Sequence, residues 1–155
     1  MGKKSQEKSS NKYVIDTSYL LPLVGIEVEG LDEETINKLF NLELHYPSAL
    51  IPELVGVIIK EARKMKLKEI PKDAIEGFNS IVYGGFIKMI PSEGDDIKTI
   101  YKLFEMGCND IFDAILYATS KRLNLKAISM DKSFKDFLKE HGFNFKVLVS
   151  HKDVI

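Results

Sequence analysis

The chain has 155 residues, 45% of them hydrophobic and 29% charged, with a formal net charge of −1. That length fits one domain with a real core, and that charge excludes a strongly basic nucleic-acid binder while leaving room for a local basic surface. A single cysteine, Cys108, excludes an intramolecular disulfide and any zinc site built on two thiolates, and it points to a reducing, cytoplasmic setting.

The histidines, His45, His141 and His151, stand at no metal-ligand spacing. No apolar run approaches the roughly 18 residues that span a bilayer, so no membrane segment is expected. The opening "MGKKSQEKSSNK" carries lysines without an apolar stretch, and it reads as a flexible polar tail over residues 1–12 rather than a secretory signal. A single domain over residues 13–155 is expected to follow.

"YVIDTSYLLPLV" begins with the apolar run Tyr13–Ile15, which suits a buried parallel strand and stops at Asp16. "LDEETINKLFN" predicts a helix with Asp32 as its cap, Glu33 and Glu34 in the first turn, and Leu31, Ile36, Leu39 and Phe40 as its apolar stripe. "LHYPSAL" is a second strand candidate, weakened by Pro47. "IPELVGVIIKEARKMKLK" predicts a helix with Pro52 at the first helical position and Glu53 in the first turn. Leu54, Val57, Ile58 and Met65 can share its inner face, and its end is basic at Lys60, Arg63, Lys64, Lys66 and Lys68.

A further helix is expected after Pro71, breaking near Gly84–Gly85 into the extended piece "FIKMI". "GDDIKTIYKLFEMG" predicts a helix with Ile97, Ile100, Tyr101 and Phe104 inward and Gly107 as its stop. In "NDIFDAILYATSKRLNL", Phe112, Ile115, Leu116, Thr119 and Leu123 follow helical spacing behind Asp110. "LKAISM" predicts a strand, "KSFKDFLKEHG" a short helix, and "FNFKVLV" a last strand. Strands alternating with helices imply an α/β fold with a mostly parallel central sheet covered on both sides.

Ligands of open α/β sheets bind beyond the carboxyl ends of the strands. Asp16 and Asp131 follow strands, while Glu53 and Asp113 open helices reached from that same edge, so the four acids have a topological reason to converge. Four converged carboxylates raise one another's pKa unless a cation compensates. Mg²⁺ or Mn²⁺ takes oxygen ligands, and held with open positions it activates water and stabilises charge on a phosphodiester. Four fewer negative charges take the net from −1 to +3, which would free basic residues to hold a phosphate backbone.

Each acid also has a plainer reading. Asp113 and Glu53 can be helix-start residues favoured by the dipole, Asp110 the cap that precedes Asp113, and Asp131 a turn residue. Asp16 is the hardest to explain by packing. The basic run at 60–68 reads as a solvated helix face or as an RNA contact through Lys60, Arg63 and Lys64.

At these residues the sequence resembles the PIN-domain nucleases. "YVIDTSYLL" is similar to their first motif, "SALIPELVGVI" to the middle one, and "DAILYATSKRLNLKAISMDKSF" to the last, with eighteen residues from Asp113 to Asp131. The resemblance covers Tyr13 to the C-terminus. It implies a three-layer α/β/α sandwich and Mg²⁺- or Mn²⁺-dependent endonucleolytic cleavage of single-stranded or structured RNA, often by a homodimer. It implies Asp16, Glu53, Asp113 and Asp131 as the catalytic, metal-binding set. Ser18 and Ser129 would orient a carboxylate or water, and Asp110 would be a supporting residue. Many small members are VapC-type toxins neutralised by a VapB-type antitoxin, which makes an antitoxin an expected partner. A housekeeping RNA-processing nuclease and a non-catalytic binding module are the rival expectations. The segment 25–46 is long for the family, and the basic run at 60–68 lies outside its motifs.

Overall fold

The computed structural model describes residues 11–155. Residues 1–10 of the expected tail lie outside that range, and Lys12, expected as its last residue, opens the first strand. Among the described residues five strands form one parallel sheet: β1 (Lys12–Ile15), β2 (Glu43–Pro47), β3 (Ile87–Ile90), β4 (Lys126–Ile128) and β5 (Leu148–Val149), in the order β3-β2-β1-β4-β5. Tyr13 pairs with Leu44 on one side and with Lys126 on the other. Val14, Ile15, Ala127 and Ile128 are fully buried, as a central parallel strand requires.

The helices are α1 (Glu33–Leu39), α2 (Ile51–Lys64), α3 (Lys72–Tyr83), α4 (Gly94–Glu105), α5 (Ile111–Leu123) and α6 (Lys132–Glu140). From β1 the chain steps outward to β2 and β3, then returns across β1 to β4 and β5. Right-handed crossovers therefore put α1, α2 and α3 on one face and α4, α5 and α6 on the other, giving the three layers. The order reverses between β1 and β4, and a ligand crevice opens at such a switch point beyond the strand ends.

Local chemistry explains most boundaries. Asp32 caps α1 by accepting the Thr35 amide at 2.7 Å. Thr17–Val24 forms a 3₁₀ helix ended by Gly25 in a left-handed conformation. On α3, Gly77 permits close approach to that turn, since a Cβ there would run into the Leu23 carbonyl. α5 is buried nearly all round by Ala114, Leu116, Tyr117, Ala118, Thr119 and Ser120, as befits a helix wedged between α4 and the sheet.

Three expectations are corrected. On α4, Ile97 and Tyr101 are 69% and 64% exposed and Phe104 is also exposed, while Asp96 and Leu103 face inward. The cause is a buried ion pair: Arg122 Nε of α5 donates to Asp96 Oδ1 at 2.9 Å, so a charge occupies the inner face. Met65 is exposed because α2 stops at Lys64 and the chain turns at Lys66, whose φ is 55°. The last strand is confined to Leu148–Val149, because Asn144 accepts the Lys146 amide and starts a 3₁₀ turn over Phe145–Val147.

Candidate active site

β1 and β4 end side by side, and the Asp16 amide continues their ladder by donating to the Ile128 carbonyl at 3.1 Å. Asp16 thus stands at the switch point. Its Oδ1 accepts the Thr17 amide at 2.8 Å, and its Oδ2 accepts the Ser129 hydroxyl at 3.2 Å. Ser129 Oγ in turn accepts the Asp131 amide at 3.1 Å. Asp131 caps α6 through the Phe134 amide at 3.0 Å.

Asp110 caps α5 by accepting the amides of Phe112 at 2.9 Å and Asp113 at 3.3 Å, which starts the helix so that Asp113 projects from its first turn. Glu53 projects from the first turn of α2. Asp16, Glu53, Asp110, Asp113 and Asp131 all line one cleft of about 350 Å³, together with Ser18, Val57 and Met130. Ser18 lines that cleft without a hydrogen bond to a carboxylate among the described residues. Lys60, Arg63 and Lys64 lie on α2 outside the cleft and are exposed. By helical geometry Lys60 and Lys64, seven and eleven residues after Glu53, continue the face that carries Glu53.

Sequence reading missed Thr17 and Tyr46. The Thr17 hydroxyl stands 2.8 Å from the Tyr46 hydroxyl, which donates to the Leu50 carbonyl at 3.0 Å. This chain ties the end of β1 to the start of α2. A buried tyrosine in a strand looks like core in a sequence, and only the fold aims its hydroxyl at the site.

The cleft is electrostatically unbalanced. Burial first, then Glu53, pushes the Asp16 carboxyl up to about 6, against the lowering effect of its Thr17 and Ser129 hydrogen bonds. Burial, then Asp110, Asp131, Asp16 and Glu53, pushes Asp113 up to about 8. Burial raises Glu53 as well, with Asp110 adding and Thr17 opposing. Among the described residues no lysine, arginine or histidine lines the cleft to offset these charges.

An all-carboxylate set without a basic partner fits a hard divalent cation. Among the described residues no three His, Cys, Asp or Glu side chains are spaced to ligate one ion directly. The room in the cleft suits a water-mediated arrangement, since Mg²⁺ keeps several of its waters when bound by one or two carboxylates.

The fold agrees with a comparison of families. The model of the PIN domain matches residues 13–139, and the chain belongs to the PIN-domain family. Among solved structures it is similar to the VapC20 toxin of Mycobacterium tuberculosis, described as a sarcin–ricin loop cleaving toxin. That match has a TM-score of 0.59 at 13% identity, and covers 86% of this chain and 97% of the other. At that identity the likeness is one of fold. No curated protein matches the sequence.

Proposed function

We propose that this chain is a divalent-metal-dependent endoribonuclease, acting on single-stranded or structured RNA as one domain over residues 13–155. The observation that carries this reading is the meeting of Asp16, Glu53, Asp113 and Asp131 in a single cleft with no basic lining residue among the described residues. Membership of the PIN-domain family supports it.

In this reading Asp16, Glu53, Asp113 and Asp131 hold Mg²⁺ or Mn²⁺, directly or through water. When bound, the ion supplies activation of water and offsets charge that builds on the phosphate. The chain's own part is preorganisation. Ser129 and the Thr17 amide fix both oxygens of Asp16. Asp110 sets the first turn of α5 and thereby the bearing of Asp113. The Asp113 carboxyl, raised to about 8, holds a proton near neutral pH and would release it on ligating a cation. Lys60, Arg63 and Lys64 guide the RNA backbone along α2.

The biological role that follows is that of a toxin in a toxin–antitoxin pair, working in the cytoplasm and restrained by a VapB-type antitoxin. Its support is the fold shared with a toxin, VapC20. Among the described residues no helix is long and apolar enough to cross a membrane. The exposed apolar side of α4, at Ile97, Tyr101 and Phe104, supports a homodimer. The test is product chemistry: mixed-sequence single-stranded RNA cut in Mg²⁺ should carry 5′-phosphate and 3′-hydroxyl ends. Products ending in 2′,3′-cyclic phosphate would contradict it, because those ends arise when the RNA's own 2′-hydroxyl attacks.

A further inference from the structure

Tyr46 is the next-to-last residue of β2, at the carboxyl end of the strand beside β1, and it is fully buried. Its ring belongs to the core, where phenylalanine would fill nearly the same space. The hydroxyl is what needs explaining, because a buried hydroxyl is costly unless it is hydrogen-bonded. It has two partners on two different elements. It donates to the Leu50 carbonyl at 3.0 Å, and it stands 2.8 Å from the Thr17 hydroxyl. Thr17 and Leu50 are themselves 3% and 0% exposed, so the whole link is shielded from water.

Each partner sits next to an acid of the cleft. Thr17 follows Asp16, and its amide donates to Asp16 Oδ1 at 2.8 Å. Leu50 is the residue before α2 and gives that helix no side-chain cap. Glu53 comes three residues later, in the first turn, so a shift of the Leu50 carbonyl carries Glu53 with it. The other acids have ties of their own. Ser129 joins Asp16 to Asp131, and Asp110 sets Asp113. The Tyr46 hydroxyl supplies a tie of the same kind between the end of β1 and the start of the helix that bears Glu53.

We propose that Tyr46 is a positioning residue of the carboxylate site, holding Glu53 at a set separation from Asp16. The proposal rests on the metal-dependent ribonuclease reading for what the two acids hold. Tyr46 is not among the described residues that line the cleft, so it acts through Thr17 and the start of α2 and not on the substrate. A tyrosine that only packs is replaceable by phenylalanine at a cost in stability alone. A tyrosine that positions costs cation affinity as well, because carboxylates serve one ion only when their supporting groups hold them in place.

The test is Mn²⁺ binding to the full chain without RNA, by isothermal titration calorimetry, with folding and Tm followed by circular dichroism. Tyr46→Phe should weaken binding about tenfold, the lower end of what loss of an outer partner costs a metal site. Thr17→Val should do the same, while Thr17→Ser, which keeps the hydroxyl, should bind like the wild type. The double variant Tyr46→Phe with Thr17→Val should lose no more than about tenfold, since both changes break one link. Tyr19→Phe is the control. It removes another fully buried tyrosine hydroxyl, one that lies 2.9 Å from His151 Nδ1, and should lower Tm at unchanged Mn²⁺ affinity. A Tyr46→Phe protein that loses Tm but binds Mn²⁺ like the wild type would overturn the proposal. So would an equal loss of affinity in Tyr19→Phe, or losses that multiply in the double variant. Mn²⁺ affinity that depends on Tyr46 in a chain that cuts no RNA would keep the positioning role and remove the nuclease reading. Metal-dependent cutting by the wild type, beside a Tyr46→Phe protein of equal Mn²⁺ affinity, would do the reverse. A wild type that binds no Mn²⁺ would remove both.

Discussion

Ser129 donates a hydrogen bond to Asp16 Oδ2 at 3.2 Å, across the point where the strand order reverses. One residue past β4 thus fixes the carboxylate one residue past β1. The same oxygen of Ser129 receives the Asp131 amide, so a single hydroxyl sets the spacing of two acids. Ser129→Ala should lower RNA cleavage by about 10- to 100-fold, the usual effect of removing a group that orients a ligand. Because this hydrogen bond also lowers the Asp16 pKa, the acid limb of the pH–rate profile should move to higher pH. Ser129→Thr should restore both. An unchanged profile in Ser129→Ala would show that the contact is only structural.

The raised carboxyls make stability depend on pH in an unusual sense. Asp16 and Asp113 titrate at about 6 and about 8 when folded, against 3.8 for an ordinary aspartate. Between those limits the folded chain binds more protons than the unfolded one. Their contribution is therefore fully present below the ordinary value and is lost as pH rises through the folded values. In EDTA the Tm should fall from about pH 5.5 to about pH 8.5, and Asp113→Asn should flatten the slope. Mn²⁺ displaces those protons, so its affinity should rise over the same window. A Tm that climbs with pH in EDTA would contradict the burial of these acids.

The buried pair between α4 and α5 is a structural element apart from the site. Arg122 donates to Asp96 at 2.9 Å and to the Pro91 carbonyl at 2.9 Å, and pairs with Glu93 at 3.2 Å. Arg122→Ala leaves the Asp96 carboxylate buried without its partner and should cost about 3 kcal/mol in urea denaturation. Cleavage per folded molecule should not change. A loss below about 1 kcal/mol would mean that water replaces the guanidinium at this position.

The exposed side of α4 bears on assembly. Ile97→Glu with Tyr101→Glu should convert a dimer to a monomer in sedimentation velocity, since charges at the centre of an apolar contact are strongly unfavourable. A wild type that stays monomeric at high concentration would rule out this face as a homodimer contact.

The sheet and its acids were readable because their signals are local. An apolar run ended by an aspartate occurs at Asp16, and a capping aspartate after a strand occurs at Asp131. The face of α4 was not readable. Hydrophobic spacing assigns charge outward, whereas Asp96 is buried at 4% exposure by a partner 26 residues away. The Thr17–Tyr46 link spans 29 residues and the Tyr19–His151 link 132, so neither leaves a pattern in a short window. The last strand shrank because the side chain of Asn144 competes for the backbone, an effect that apolar content does not register.

The most direct measurement is cleavage of a mixed-sequence single-stranded RNA by the wild type and by Asp16→Asn, each in Mg²⁺, in Mn²⁺ and in EDTA. The four-carboxylate account predicts cutting by the wild type with either metal, none in EDTA, and a loss of at least about 10²-fold in the variant. Equal cutting by the two proteins, or cutting by the wild type that persists in EDTA, would contradict it.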